Sequence, residues 1–319
     1  MALAAEGLRR HSDAEGRTAM LAAYQANHQR FYLQNESDVG EARYSPDGKR
    51  IVTAAPSSRY LAGPLPARIF DALTGQPRAE LRSATTITSA VFDPTGRRVL
   101  TTSSPGGAFS VPQEKLAEVS PRLWDADRGV EIASLAGGFL LQTDSSSFCP
   151  TGSTTKVVTP AIANTARVYN AAGELMLTLD GHTDRVTYAG YSPDGAKIVT
   201  ISDDHTVRIW NAESGAELLK LDSWKNRLPD ETAGQLVQSA LFSPDSNHLL
   251  TCSVQLGVEL WDLNRDESTA LGCGHQIAFS PDGEQLAIAW DDTIRVLDWH
   301  NRTLRCQLIH DQWAVLVLQ

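Results

Sequence analysis

The chain has 319 residues, 21% of them charged, with a formal net charge of −10 and a pI near 5.3, which disfavours a surface built to grip the phosphates of nucleic acid. No apolar run approaches the ~20 residues of a membrane-spanning helix, and the first residues carry Glu6 and lack a signal-peptide core. The four cysteines (Cys149, Cys252, Cys273, Cys306) show neither Cys-x-x-Cys nor metal-ligand spacing, so a cytoplasmic protein without membrane attachment, metal or cofactor is expected.

Residues 1–35 stand apart from the rest. Met20, Leu21, Tyr24, His28 and Phe31 share one helical face, which predicts a helix over roughly 17–32 with Ser12 or Asp13 ahead of it. This segment is read either as a helix docked on the following domain or as a linker from an upstream one.

From residue 36 the chain repeats itself. Tyr44-Ser45-Pro46-Asp47-Gly48 returns at 191–195 and 279–283, with looser copies at 92–96, 148–152 and 242–246. The prolines stand at 46, 94, 150, 193, 244 and 281, so the intervals are 48, 56, 43, 51 and 37 residues. A period of this size means stacked copies of one unit, none able to bury its apolar face alone. Proline presets the turn backbone and glycine supplies its positive φ. After each turn comes a short strand rich in Val, Ile, Leu and Thr. A second strand then ends in an aromatic or apolar residue followed by Asp or Asn: Phe70-Asp71, Trp124-Asp125, Tyr169-Asn170, Trp210-Asn211, Trp261-Asp262 and Leu297-Asp298.

The fourth copy is the fullest: Gly181-His182, then Gly190 to Gly195, then Ser202-Asp203-Asp204, then Thr206 to Asn211. This pattern resembles the WD-repeat β-propellers over residues 36–319. The resemblance implies an all-β propeller of six complete four-stranded blades. Residues 311–319, aligned with 184–192, supply the first strand of a seventh, which suggests a seven-bladed parent. The alternative is a six-bladed ring in which that last strand plugs the fold or pairs with residues 31–35. The fourth strand of the fifth unit, near Ser268 to Leu271, is expected to be very short.

The resemblance also implies a scaffold network of His182, Thr200 or Ser202, Asp204 and Trp210. Thr200 and Ser202 share one strand face, so the sequence leaves the choice open. A Ser, His and Asp in one blade can suggest nucleophilic catalysis, but there is no Gly-x-Ser-x-Gly, P-loop or His-Glu-x-x-His, and a non-enzyme is expected. Asp203-Asp204 and Asp291-Asp292 read as turn residues. Arg68, Arg122, Arg167, Arg208 and Arg295 stand two residues before each strand-end residue, and are read as a repeated feature that packs on or pairs with the next blade.

The insertions at 56–67, 104–120 and 222–235 fall in links that the resemblance places on one face. They carry Arg59, Tyr60, Trp224, Lys225 and Arg227, types common in interface hot spots. With Tyr188 at the channel mouth, beside Glu41, Ser89 and Ser239, these are the expected contacts for a protein or peptide. The expected function is an interaction scaffold. The alternative is the sensory tail of a larger NTPase, kinase or protease. The partner and the oligomeric state are not legible.

Overall fold

The computed structural model describes residues 39–55, 64–104, 120–135, 146–151, 155–222, 237–253, 257–265, 267–274, 276–280 and 282–309. Among them the chain is all β, in six four-stranded antiparallel sheets. The predicted helix over 17–32 and the predicted seventh-unit strand 311–319 lie outside the described residues.

Blade 1 holds β1 (Glu41–Tyr44), β2 (Arg50–Ala54), β3 (Ala67–Asp71) and β4 (Pro77–Leu81). Blade 2 holds β5 (Thr86–Phe92), β6 (Arg98–Ser104), β7 (Arg122–Asp125) and β8 (Glu131–Ser134). Blade 3 holds β9 (Ser147–Phe148), β10 (Lys156–Ala161), β11 (Thr165–Asn170) and β12 (Leu175–Leu179). Blade 4 holds β13 (Val186–Tyr191), β14 (Lys197–Ser202), β15 (Val207–Asn211) and β16 (Glu217–Leu221). Blade 5 holds β17 (Ser239–Phe242), β18 (His248–Ser253), β19 (Gly257–Asp262) and β20 (Glu267–Gly272). Blade 6 holds β21 (Gln276–Phe279), β22 (Gln285–Trp290), β23 (Thr293–Asp298) and β24 (Thr303–Ile309).

The turn after the first strand closes on itself in blades 1, 2, 4, 5 and 6. In blade 4 the Ser192 hydroxyl donates to Asp194 Oδ1 at 2.6 Å and accepts the Lys197 amide at 2.9 Å, while Gly195 takes a φ of +72°. Blade 1 repeats this with Ser45, Asp47 and Arg50. Serine and aspartate at these two places satisfy turn groups that strand pairing cannot reach.

The apolar core lies between blades. Five clusters occupy the five successive junctions, each drawing buried residues from two neighbouring sheets. Between blades 3 and 4, for example, Val158, Val168 and Leu179 meet Val186, Ile198 and Trp210. The strand-end aromatics Trp124, Tyr169, Trp210 and Trp261 each pack on the preceding blade. Burial of this kind stabilises by about 25 cal/mol per Å² of apolar surface, and no blade secures it alone. The last residue of the fourth-strand run shows the dependence. Leu81, Leu135, Leu179 and Leu221 are 0–2% exposed beneath a following blade, whereas the equivalent Leu308 is 55% exposed, with no further blade against it among the described residues.

Blade 6 redistributes its volume. Leu297 stands where other blades have an aromatic, and Trp299 stands two residues later, where blades 2 and 4 have Ala126 and Ala212. Trp299 packs edge-on against His248 and Phe279, and its indole N–H donates to the Gly283 carbonyl at 2.8 Å.

Two expectations need correction. The fourth strand of blade 5 is a full six residues, Glu267–Gly272, with a bulge opposite Val258 and Glu259. Its Ser-Thr-Ala composition hid it, because its side chains are largely outside the core and carry no apolar alternation. Three of the five repeated arginines pair within their own blade: Arg68 with Glu80 at 3.1 Å, Arg122 with Glu131 at 2.6 Å, and Arg208 with Glu217, while Arg295 donates to the Cys273 carbonyl at 2.6 Å in the link from blade 5. The three ion pairs are cross-strand pairs between third and fourth strands, a register that strand spacing alone does not reveal.

The ties between blades start one strand earlier. Arg50 donates to the Gly96 carbonyl at 2.6 Å, pairs with Asp127 at 2.7 Å and lies over the Phe92 ring. Arg98 donates to Thr155 at 3.2 Å, and Lys197 donates to the Ser246 carbonyl at 3.1 Å. A long basic side chain opening the second strand reaches the next blade's turn in each case.

Candidate functional site

The best-defined polar assembly is in blade 4. The Trp210 indole N–H donates to Thr200 Oγ1 at 2.8 Å. That hydroxyl donates onward to His182 Nε2 at 2.7 Å, and His182 Nδ1 donates to Asp204 Oδ2 at 2.9 Å. Asp204 also accepts the Thr183 amide at 3.0 Å and, through Oδ1, the Thr206 hydroxyl at 2.6 Å. The choice left open by sequence falls on Thr200. Ser202 instead donates to the Asp184 carbonyl at 2.9 Å and accepts the Asp204 amide at 3.1 Å.

This order of donors makes His182 a neutral imidazole with its proton on Nδ1. Burial pushes its pKa down by more than the Asp204 hydrogen bond raises it. Burial opposes the Asp204 carboxylate as well, but bonds from Thr206, the Thr183 amide and His182 outweigh it and hold its pKa below the usual carboxylate range.

Both folded-state values lie below the unfolded ones, so both contributions to stability are whole at high pH and lost as pH falls. His182 acts first, below its ordinary value of about 6.5, and Asp204 only below about 3.9. Thermal melts of the protein are therefore expected to lose stability from pH 7.5 to 5.5, and His182→Gln is expected to flatten that response. An equal response in the variant places the titration elsewhere.

Thr200, His182 and Asp204 have the hydrogen-bond order of a hydrolytic triad. Thr200 is wholly buried, however, and its oxygen already accepts the indole N–H, so a substrate carbonyl has no route to it. The chain of bonds fastens the link before β13 to the β14–β15 turn and to the strand-end tryptophan.

Two other blades keep part of this chain. Trp124 donates to Thr101 at 2.7 Å and Trp261 to Thr251 at 3.0 Å. Thr53, Thr101, Thr159, Thr200 and Thr251 all occupy the second-strand position opposite residues 68, 122, 167, 208 and 259. The sequence carries this signal, a threonine after one or two aliphatic residues in each of the first five blades, and the reading above passed over it. In blade 3 the strand-end residue is Tyr169, and the buried Thr159 Oγ1 has no hydrogen-bond partner.

The antiparallel order of every blade sends the second-to-third and fourth-to-first links out of one end of the sheets. The links at 55–66, 105–121 and 222–238 all leave from this end. A fourth long link, 135–146, leaves there as well and was not singled out from sequence. Arg59, Tyr60, Trp224, Lys225 and Arg227 lie outside the described residues. Tyr188 is described: it lies on β13, and its hydroxyl is 2.6 Å from where a Cβ on Gly190 would be, so its ring folds back over that glycine. Tyr188 thus shares the inner wall with Ser89 of β5 and Arg43 of β1. Glu41 pairs with Arg43 and accepts the Ala90 amide at 3.4 Å, joining blades 1 and 2. Ser239 sits on β17 opposite Cys252.

Residues 173–211, which carry the His182–Trp210 assembly, match the family model for the WD domain, G-beta repeat. The crystal structure of the C-terminal WD40 domain of Sif2 superposes with a TM-score of 0.63 at 20% identity, covering 89% of this chain and 75% of that one. The described sheets have the fold of a WD40 propeller, and residues 173–211 carry a WD repeat. Relatives of this WD-repeat chain include the WD repeat-containing protein WDS homolog of Arabidopsis thaliana, 26% identical over 140 residues, which is 41% of this chain and 25% of the relative. The serine-threonine kinase receptor-associated protein of Gallus gallus is 30% identical over 132 residues, 40% of this chain and 35% of the relative. The matched part of this propeller thus spans only about a quarter to a third of these relatives' lengths.

Proposed function

We propose that this WD-repeat propeller is a non-catalytic platform that binds a protein or peptide on the face carrying its long links. The observation that carries the reading is the asymmetry between the two ends of the sheets. Among the described residues one end has tight turns, several tied by Ser and Asp, and the other gives rise to four long links on a scaffold packed at five blade junctions. Rigid elements that present extended links are the usual base for recognition. WD-repeat relatives support an interaction role in general terms, and one of them is named for its association with a receptor kinase.

Trp224 and Tyr60 are the proposed anchors, with Arg59, Lys225, Arg227 and Tyr188 around them. Replacing Trp224 and Tyr60 together by Ala is expected to abolish retention of a partner on immobilised protein, while Tm moves by no more than about 3 °C, since the sequence puts both in insertions of the repeat. Retention at the wild-type level by a folded double variant would remove the long-link face as the binding surface.

A further inference from the structure

One face of blade 1 is buried where no blade junction accounts for it. In each blade a cross-strand row faces the preceding blade. In blade 2 the row is Phe92, Val99 and Trp124, all packed on blade 1. In blade 1 the same row is Tyr44, Ile51 and Phe70. The second-strand members in the other blades, Val99, Val157, Ile198, Leu249 and Leu286, each belong to a junction cluster. Ile51 and Phe70 belong to none of the five, and no blade precedes β1 among the described residues. Yet Ile51 is 8% exposed and Phe70 only 2%, and both are covered within the single chain.

The pattern of exposure narrows what the cover is. Blade 6 does not supply it. At four junctions the leucine ending the fourth strand (Leu81, Leu135, Leu179, Leu221) shares a cluster with the row it meets, whereas its counterpart Leu308 is 55% exposed. An added first strand does not supply it either. First strands of neighbouring blades abut, as β5 lies beside β1 and β13 beside β9, and the turn aromatics Phe92, Phe148 and Phe242 are 5–9% exposed. Tyr44 holds that position in blade 1 and is 58% exposed. Residues 311–319, which the repeat aligns with a first strand, would lie against β1 and cover it. The cover therefore lies over β2 and β3 and stops short of β1. Two strands spaced about 4.8 Å apart present a face about 10 Å wide, the diameter of one helix with its side chains.

We propose that residues 17–32 form this cover, as an amphipathic helix that lays Met20, Leu21, Tyr24 and Phe31 over Ile51 and Phe70 in place of a preceding blade. Those four residues share one helical face, and the apolar row on blade 1 gives that face a surface to bury. Phe31 precedes Val39 by eight residues, and a link of that length reaches about 26 Å, enough to return from the start of β1 along the sheet to Phe70. On this assignment the segment is a layer of the propeller and not a free linker.

The test uses the full chain with Tyr24 replaced by p-benzoylphenylalanine, an aromatic side chain that forms a covalent link to C–H groups beside it on irradiation. Mass spectrometry of the digested product is expected to place the link within one chain, on residues 50–54 or 67–71. Links only to other parts of the chain, links between copies, or no link overturns the proposal. Leu21→Asp combined with Phe31→Asp is expected to speed amide exchange in β2 and β3 by about tenfold or more and to leave β14 and β15 unchanged, which also shows that the variant is folded. Unchanged exchange in β2 and β3, or equal acceleration in β14 and β15, counts against a helix on this face.

Discussion

Asp204→Ala is expected to destabilise blade 4 by about 3–5 kcal/mol. The carboxylate accepts from His182, from the Thr183 amide and from both the amide and the hydroxyl of Thr206. Alanine leaves the His182 ring N–H and the Thr206 hydroxyl, both on buried residues, without their acceptor, and each unmade bond costs the desolvation of its group. The consequence spreads along a defined path. His182 loses its orienting partner, Thr200 then loses a fixed acceptor, and Trp210 loses the hydroxyl that holds its indole against blade 3. Because repeat architectures open in neighbouring units, the loss is expected first as faster amide exchange in β13 to β16 and in the facing strands of blade 3. Uniform acceleration across all six blades would show instead that the propeller opens as one unit and that this network is not a local fastening.

The second large effect is a contrast between equivalent positions. Thr200→Val should cost about 2–4 kcal/mol, because the Trp210 N–H and His182 Nε2 both lose their partner. Thr159→Val, in the same register of blade 3, should be neutral or stabilising by up to about 1 kcal/mol, because its hydroxyl is buried with no partner to lose. Valine has the shape of threonine, so packing changes little in either case. Urea titration of both variants against wild type reads the difference directly as opposite displacements of the midpoint. Displacements of the same sign would mean that the Thr159 hydroxyl is satisfied in solution, and that blade 3 is fastened much as blade 4 is.

The sequence by itself determined the six complete blades and their order. An aromatic-x-Pro-x-Gly turn and a strand-end residue followed by Asp or Asn recur because each unit needs the same turn chemistry and must present the same apolar face to a neighbour. Residues close in sequence carry that information, so a single chain displays it. The membership of the blade 4 network was legible for the same reason: His182, Asp204 and Trp210 fall at fixed offsets from one turn. The tertiary structure decided what depends on pairing across strands and blades. It selected Thr200 over Ser202, because two residues on one strand face differ only in which groups lie opposite them. It set Arg68, Arg122 and Arg208 each against a glutamate of its own blade, and gave inter-blade ties to Arg50, Arg98 and Lys197, one strand earlier. It moved the aromatic of blade 6 from position 297 to Trp299, since what the junction requires is a filled volume and not a residue at a fixed place in the chain. It also showed Ile51 and Phe70 buried outside the five blade junctions, because the cover of a sheet face comes from residues distant in the chain and leaves no mark on the strands beneath it.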